Sequence, residues 1–417
     1  MSSLVSKRSF VHARFVFEEF PLRARIPARF DFPKLWAASA VSNIGDGVTM
    51  AAGPLLVAHL TQNPVWVAGA VFAQQLPWLL FALVSGAYVD RVDRRRLVVV
   101  VNVVRGLALA GLAAAIATGV VTIPIVYATF FLLGLGETVA DTAAAALLPA
   151  VVPSDKLPAA NAKLMATFTI NNQFVAKPLG AWLFATSTAL PFAFDAATFL
   201  LAAGLLARLS TGPGKREPAH TSLGKDIVEG VRWLKNHRVL RTLAITMCAA
   251  NVVFCGAFAV FVLYVRQRLG LDDLGYGLLL TTFAIGGLAG AAAAPGLQRK
   301  IPARMLLRAG LVVEILTHLT LAASTRWPIV AGVLVVFGVH TMVWGGIVLT
   351  IRQRTVPEGL FGRVTSVHLL LDFGGAAIGS LLGGLFAKSL GITAPYWIAA
   401  GVMVLISVAA WRPLRAA

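Results

Sequence analysis

Charged residues are scarce in this chain of 417 residues. Asp, Glu, Lys and Arg make up 13 % of the sequence, hydrophobic residues make up 58 %, and the mean hydropathy is +0.80. Soluble domains carry about a quarter charged residues. So few charged side chains could not cover a water-facing surface, which excludes an ordinary soluble protein and predicts one embedded in a lipid bilayer.

Cysteine is also rare, and recognisable catalytic motifs are missing. Cys248 and Cys255 lie seven positions apart in one apolar stretch, so a helix would separate them by about 10 Å, too far for a disulfide. The sequence has no phosphate-binding G-x-x-x-x-G-K-[ST] loop, no metal-ligand spacing and no convincing catalytic set. We therefore expect no cofactor and no enzyme, and an integral membrane enzyme is the disfavoured alternative.

Long apolar segments, by contrast, fill most of the chain. Those long enough to cross about 30 Å of hydrocarbon are 35–60, 65–89, 97–118, 122–148, 158–187, 190–208, 239–265, 274–298, 303–324, 328–351, 360–388 and 392–411. They predict an all-α integral membrane protein with twelve transmembrane helices.

Basic residues are distributed unevenly around these segments. With both termini in the cytoplasm, 29 of the 36 Lys and Arg residues lie in cytoplasmic segments and 4 lie outside. This asymmetry follows the positive-inside rule and predicts a multi-pass protein of the inner (plasma) membrane with cytoplasmic N- and C-termini. It also accounts for the net charge of +18 without a nucleic-acid partner.

The order of the segments predicts five regions. These are a basic cytoplasmic arm, a first six-helix half, a cytoplasmic linker, a second six-helix half and a cytoplasmic tail, at 1–34, 35–208, 209–238, 239–411 and 412–417. We expect no cleavable signal sequence in the arm. The linker contains apolar residues at helical spacing, from Leu223 to Leu234, which indicate an amphipathic helix on the inner membrane surface.

The two halves resemble one another at an offset of 204 residues. At this offset three positions of the first half match three of the second, Gly134 with Gly338, Pro153 with Pro357 and Gly180 with Gly384. Repeated halves are typical of secondary transporters, whereas a channel would need a selectivity filter or a charged ring.

One charged stretch, GAYVDRVDRRR from Gly86 to Arg96, separates the second and third spans. It resembles the motif G-x-x-x-D-R-x-G-R-R of the major facilitator superfamily, with Asp93 in place of the glycine, which predicts a less tight turn. The stretches ALLPAVVPSDKLPAANA, FAFDAATFLLA, EGVRWLKNHRVLRTL and RQRTVPEGLFGRVTSV are similar to the branch of enterobactin exporters and macrolide efflux proteins. The resemblance implies the twelve-helix major facilitator fold in two pseudo-repeated halves.

The resemblance also implies a gate at the cytoplasmic end. Its candidate residues are Gly86, Asp90, Arg91, Arg94, Arg95, Asp141 and Arg105. Asp90 would face the start of span eleven, near 359–363, and hold the cytoplasmic side closed when the protein opens outward. The alternatives are an inside-positive loop with no further role and a static ion pair at Asp141.

Acidic residues at membrane depth are candidates for proton coupling, because a carboxyl shielded from water can bind and release protons near neutral pH. We expect Asp46, Glu137 and Asp372 to have this role. Gly45 and Gly47 would loosen the helix around Asp46. Packing or structural roles remain open for Asp46 and Asp372.

Further polar side chains lie in the predicted spans. Candidates for lining a substrate cavity are Asn43, Asn171, Gln173, Lys177 and Trp344, with contacts between helices as the alternative. The amides and the cation would suit an anionic or hydrogen-bonding substrate. Three other residues are interpreted as structural, the pair Glu314 and His318 on span nine and the buried His340 on span ten.

These observations together predict a secondary active transporter. The function implied is proton-coupled export of amphiphilic small molecules (a drug, antibiotic or siderophore) by alternating access, carried out by a monomer whose partners are its substrate, protons and the bilayer. The alternative is a proton-coupled importer of a small nutrient.

Overall fold

A computed structural model of the chain describes residues 31–89, 92–210 and 223–416. Its secondary structure in these ranges is helical. In chain order the α-helices are α1 (Asp31–Leu60), α2 (Pro64–Val89), α3 (Arg94–Ala117), α4 (Ile123–Val151), α5 (Leu157–Phe168), α6 (Ala176–Thr186), α7 (Leu190–Ala207), α8 (Leu223–Asn236), α9 (Arg238–Ala259), α10 (Phe261–Arg268), α11 (Asp273–Lys300), α12 (Ala303–Ala323), α13 (Trp327–Thr355), α14 (Glu358–Leu390) and α15 (Ala394–Trp411). A π-helix, Thr169–Val175, joins α5 to α6, and short 3₁₀ turns occupy Ser154–Lys156 and Pro413–Ala416.

Ten of the described helices are long and apolar enough to cross a membrane, namely α2, α3, α4, α7, α9 and α11 to α15. The other two predicted spans are helical as well. One is α1, whose 30 residues extend about 45 Å at 1.5 Å per residue. The other is interrupted by the π-helix, so neither α5 nor α6 is long enough alone. The all-helical prediction is confirmed, and the total of twelve spans stays a prediction.

The residue that departs from the superfamily motif begins a helix. Asp93 is the N-cap of α3, with an extended backbone and a side-chain Oδ1 that accepts a hydrogen bond from the backbone N–H of Arg96 at 2.9 Å. Such a cap contributes about 1 kcal/mol to helix stability. The substitution of aspartate for glycine therefore fixes the start of α3, and the expectation of a looser turn misses this contact.

Helices α1 to α7 pack into one bundle, here called the first half, and α9 to α15 pack into another, the second half. In the first half α2 packs on α4, and α3 and α1 pack on α7; in the second α11 packs on α13, and α9 on α14. Gly134 and Gly338 make equivalent close contacts. A Cβ at Gly134 would lie 2.1 Å from the carbonyl oxygen of Gln74 on α2, and a Cβ at Gly338 would lie 2.2 Å from that of Phe283 on α11.

The halves meet along two helix pairs, α2 with α14 and α6 with α11. Gly384 lies against Pro64 and Ala68 at the start of α2, and Gly277 of α11 lies against Ala181 of α6. Gly180, the repeat partner of Gly384, packs instead on α1 of its own half. The two halves therefore share the order of their helices, but the repeated glycines Gly180 and Gly384 pack against different partners, one within its own half and one across the interface.

The two ends of the bundle differ in charge. At one end, here called the basic end, Arg95 donates hydrogen bonds to the carbonyl oxygens of Ala207 (2.7 Å) and Leu209 (2.6 Å), which ties the start of α3 to the end of α7. The opposite end, here called the far end, holds the end of α1 and the start of α11. The amphipathic helix α8 lies at the basic end, because Gly230 packs on Arg363 at the start of α14.

Helix α8 is tethered to the second half. Glu229 accepts a hydrogen bond from Arg363 of α14 at 2.5 Å, and Leu234 is buried in the core that α9 and α14 share. Val228 and Val231 on the same helix are exposed. Among its described side chains, the helix therefore packs Leu234 and Trp233 against the protein and leaves Val228 and Val231 open to its surroundings.

Candidate functional site

A cation surrounded by acidic side chains lies in the first half, near the middle of α1, α3 and α4. Arg105 is 4 % exposed, and its Nη2 lies 2.6 Å from Oδ1 of Asp46. The guanidinium also interacts electrostatically with Glu137, Asp141 and Asp195. We call these five residues the charge cluster. If every acid were ionised, one positive charge would face four negative ones, and protonation is the direct means of balancing them away from water.

Glycines let the helices that carry the charge cluster approach closely. A Cβ at Gly45 of α1 would lie 2.0 Å from Oδ1 of Asp195, and a Cβ at Gly136 of α4 would lie 2.7 Å from Cδ of Arg105. A Cβ at Gly47 would lie 2.5 Å from that of Ala176. Since α1 runs as one unbroken helix through this region, the glycines serve close packing, and the expected loosening around Asp46 does not occur.

Exposure of the acids increases from the core toward the basic end. Asp195 is fully buried and accepts a hydrogen bond from Thr49 at 2.6 Å. The Asp46 side chain is 21 % exposed, Glu137 is partly buried, and Asp141 is exposed. Because α4 runs toward the basic end, Asp141 lies one turn closer to that end than Glu137. The acids thus form a graded series from the protein interior to open space.

The charge cluster is connected to the interface between the halves through one aromatic side chain. Trp78 of α2 donates a hydrogen bond to Glu137, and its ring stacks on Phe373 of α14 with centroids 4.4 Å apart and planes at 13°. Next to Phe373, Asp372 accepts a hydrogen bond from Asn251 of α9 at 3.3 Å. Asp372 therefore lies in the other half from the charge cluster, and its hydrogen bond to Asn251 stays within that half.

Polar contacts join the halves at the far end. Asp273 of α11 accepts hydrogen bonds from Arg266 (2.5 and 3.1 Å) and contacts His59 of α1 at 3.0 Å. Arg266 also donates to the carbonyl oxygen of Ala58 at 3.1 Å. We call these four residues the far-end latch. The contacts of His59 and Ala58 cross between the halves, so the far end is held closed in this structure.

A pocket of about 200 Å³ lies inside the second half, among α9, α11, α12, α13 and α15. We call it the second-half pocket. Its lining includes the aromatic residues Phe254, Phe283, Phe337 and Trp344 together with Glu314. The pocket adjoins the space between the halves, because Lys177 of α6 lies 5.8 Å from the centre of the Phe283 ring.

The arrangement as a whole, two helical halves with buried charge in one and an apolar pocket in the other, has counterparts among known proteins. The profile of the transmembrane secretion effector family matches residues 21–415. This chain belongs to that family. The family is part of the major facilitator superfamily, so the resemblance stated from the loop motif is confirmed, and this secretion effector is a multi-pass membrane transporter.

Individual relatives agree with this membership. The multidrug efflux pump Tap of Mycolicibacterium fortuitum is 27 % identical over 387 residues, covering 89 % of this secretion effector and 93 % of Tap. The enterobactin exporter EntS of Citrobacter koseri is 25 % identical over 365 residues, covering 85 % of each chain. These similarities extend through both halves rather than through one segment.

Solved structures share the fold. The nucleoside transporter NupG superposes with a TM-score of 0.76 at 10 % identity, covering 92 % of this secretion effector and 99 % of NupG. A bacterial homologue of the iron transporter ferroportin, in an inward-facing state, gives 0.71 at 16 % identity and covers 92 % and 98 %. At these identities the comparison shows the fold alone.

The structure describes the predicted gate only in part. Asp90 and Arg91 lie outside the described residues, while Gly86 lies within α2. Arg94 begins α3, and Arg95 binds the end of α7 within the same half. The two remaining gate candidates, Arg105 and Asp141, belong to the charge cluster, where they join the acids that we expected to couple protons.

The predicted cavity residues fall into different environments. Asn171 and Asn172 donate hydrogen bonds to carbonyl oxygens of α1, at Ala40 (2.9 Å) and Asn43 (3.3 Å), so their amides hold the π-helix against α1. The Asn43 amide bonds to Ser39 of its own helix. The side chain of Gln173 lies outside the described atoms.

The other two cavity candidates lie close to the second-half pocket. Lys177 is buried and lies over Phe283 at the pocket's edge. Trp344 lines the pocket itself, and its Nε1 donates to Sδ of Met247 at 3.1 Å.

Sequence reasoning missed three groups that the structure brings into the site. Asp195 lies within the apolar stretch FAFDAATFLLA, where an isolated acid was the available signal. Arg266 and Asp273 are separated by seven positions across a turn; Arg266 was counted only among the basic residues of the outer side, and Asp273 was not singled out. Glu314 was interpreted as structural, although it lines a pocket.

Proposed function

We propose that this secretion effector exports amphiphilic small molecules by alternating access, driven by proton entry. The observation that carries the proposal is the charge cluster, in which four carboxylates share one guanidinium at membrane depth. A charged side chain at the centre of a span costs about 2.5–3.5 kcal/mol, so several of them together carry a cost that a structural role alone does not explain. Export, rather than import, is inferred from the similarity to the multidrug efflux pump Tap and the enterobactin exporter EntS.

The contacts between the halves support a state closed at the far end. The far-end latch joins α1 to α10 and α11, and Gly277 packs on Ala181 where α11 meets α6. In the same state the acids of the charge cluster become more exposed toward the basic end. We infer an inward-facing conformation with the basic end in the cytoplasm, in which substrate enters and protons leave from the cytoplasmic side.

Coupling between protons and movement would pass through Trp78. Protonation of Glu137 removes the charge of the carboxylate that accepts the hydrogen bond from the Trp78 indole N–H. The ring of Trp78 is also stacked on Phe373 of the opposite half. Titration in the first half can therefore alter the preferred packing of α2 on α14. This provides the two-state element that a transport cycle needs, namely an interface whose packing the bound proton biases.

The remaining architecture is proposed on the same basis. We propose twelve spans in two six-helix halves, with both termini in the cytoplasm, in the inner membrane, acting as a monomer. Support comes from the positive-inside asymmetry and from the ten helices that are long and apolar enough to cross a membrane in the described part of the chain. The proposed divisions are the five regions predicted from the sequence, with α8 as the linker helix on the cytoplasmic surface.

The test uses inverted membrane vesicles that contain the full-length protein. Uptake of a fluorescent amphiphile should require a proton gradient and stop when an ionophore dissipates it. Asp46→Asn and Glu137→Gln should each lower gradient-driven uptake by about tenfold or more while leaving the amount of folded protein unchanged. Asp155→Asn, an exposed acid after α4, is the control and should transport normally. Undiminished uptake without a gradient, or in both variants, would refute proton coupling at this site, and uptake only in right-side-out vesicles would indicate an importer.

A further inference from the structure

The second-half pocket has a chemical character that the charge cluster lacks. Its walls are aromatic, with Phe254, Phe283 and Phe337 forming a mutual cluster whose ring centroids lie 5.5, 5.8 and 6.4 Å apart. Trp344 continues the wall, since its ring meets that of His340 edge-on at 5.6 Å. Such rings pack well against apolar and aromatic groups, and the faces of the rings also attract cations.

One acidic side chain lies in this aromatic wall. Glu314 of α12 is 7 % exposed and lines the pocket. Its Oε1 lies 3.3 Å from Nε2 of His340, while its Oε2 is buried and has no hydrogen-bond partner among the described residues. The closest basic atom to Oε2, Nδ1 of His318 at 3.8 Å, bonds to the backbone of Glu314 instead. A buried carboxylate oxygen left unpaired carries a desolvation cost, which a positively charged ligand could remove.

A glycine keeps this arrangement in place. A Cβ at Gly310, one turn before Glu314, would lie 2.5 Å from Cε1 of His340 and 2.7 Å from Cε3 of Trp344. The absence of a side chain therefore lets both rings pack directly on α12 beside the acid. The aromatic wall and Glu314 are therefore held together by direct packing between α12 and α13.

We propose that the second-half pocket binds the aromatic, positively charged end of an amphiphilic substrate, with Glu314 as its counter-ion. This inference rests on the proposed function, because it names the substrate class of the proposed exporter. The ring-bearing cationic end would occupy the pocket, and the rest of the molecule would extend into the space between the halves beside Phe283.

Two other charged groups lie near the pocket, and neither replaces Glu314 in this role. Asp372 bonds to Asn251, a lining residue, but is not itself part of the lining. Lys177 of α6, in the first half, lies over the Phe283 ring and is not part of the lining either. An anionic ligand in the pocket would therefore face the Glu314 carboxylate without a lysine in the pocket wall to bind it. The geometry therefore favours a cation, whereas the amides and Lys177 in the sequence predicted an anionic or hydrogen-bonding substrate.

The test is equilibrium binding to the purified full-length protein in detergent. The probes are tetraphenylphosphonium and tetraphenylborate, which have the same size and shape and opposite charge. We expect tetraphenylphosphonium to bind at least about tenfold more tightly, because only the cation gains the Glu314 carboxylate. Glu314→Gln should remove most of this preference, and Asp155→Asn should keep it. Equal or tighter binding of the borate to the native protein would overturn the proposal without any variant.

Further measurements separate the pocket from the transport function. Phe337→Ala should weaken binding of both probes several-fold, because the Phe337 ring contacts the phenyl groups that the two probes share. Unchanged phosphonium affinity in Glu314→Gln, with thermal unfolding like that of the native protein, would overturn the role of Glu314. Charge-selective binding without phosphonium transport in vesicles would support the pocket and refute the exporter, because binding requires no proton gradient.

Discussion

The far-end latch makes a quantitative prediction about the conformational equilibrium. Arg266 and Asp273 form the shortest contact, but both lie in the second half, so their pair can persist when the halves separate. The energy that differs between the two states comes from the contacts that cross, His59 with Asp273 and Arg266 with the Ala58 carbonyl. A partly exposed ion pair contributes about 0.2–1 kcal/mol, and a hydrogen bond from a charged donor about 1.5 kcal/mol or more.

Arg266→Gln removes the charged donor to Ala58 and leaves His59 as the remaining partner of Asp273 in the latch. We expect it to disfavour the closed far end by about 1–2 kcal/mol, a roughly 5–30-fold change in the equilibrium constant. A far-end-open state populated at about 1 % would then rise to roughly 5–25 %. Arg268→Gln is the matched control, because Arg268 is on the same helix and its described hydrogen bond, to Ala323, stays within the second half.

Pulsed electron spin resonance can measure this change directly. Spin labels at the exposed Val120 and Thr325 report the separation of the far-end loops of the two halves, once Cys248 and Cys255 have been replaced by serine. The longer-distance population should grow in Arg266→Gln and remain small in Arg268→Gln. Identical distance distributions in all three proteins would refute the assignment of these contacts as a latch.

Two further predictions concern glycines at close helix contacts. Gly277→Leu should prevent closure of the far end, because even a Cβ would lie 2.3 Å from that of Ala181; the spin-label distance should lengthen, and an unchanged distance would contradict the contact. Gly45→Ala should displace Asp195 and lower proton-driven uptake more than Gly111→Ala, whose site has open space around it; equal uptake in the two variants would contradict the tight packing at Asp195.

The sequence predicted the helices well because hydropathy and charge act locally. The twelve apolar segments match the described helices to within a few residues at most ends, and α8 appears where the linker showed helical spacing. The π-helix between α5 and α6 was not predictable from periodicity, because it depends on how Asn171 and Asn172 bond to α1. A local pattern cannot register a bond partner that lies about 130 residues away in the chain.

The candidate site was harder to predict, because it is assembled from contacts between distant helices. Membrane-depth acids were recognisable one by one, and Asp46 and Glu137 were identified this way. Their common partner Arg105 was assigned to the gate instead, since the sequence does not show that α3 faces α1. Glu314 was assigned a structural role, yet Gly310 lets the rings of His340 and Trp344 pack beside it as part of a pocket wall, a contact that the sequence does not show.

The proposed proton site and the proposed substrate site lie in different halves, and this separation constrains the mechanism. The charge cluster belongs to α1, α3, α4 and α7, whereas the second-half pocket belongs to helices from α9 onward. A proton and a substrate therefore do not compete for the same carboxylate, and exchange by direct displacement is excluded for these sites.

The two ligands can influence one another only through the interface that both halves share. In the described structure that interface includes Trp78, which donates a hydrogen bond to Glu137 and stacks on Phe373. It also includes Lys177 over Phe283, and Phe283 is itself a wall of the pocket. Because both contacts rearrange when the halves rock, each ligand biases the same conformational equilibrium, which is sufficient for coupled transport.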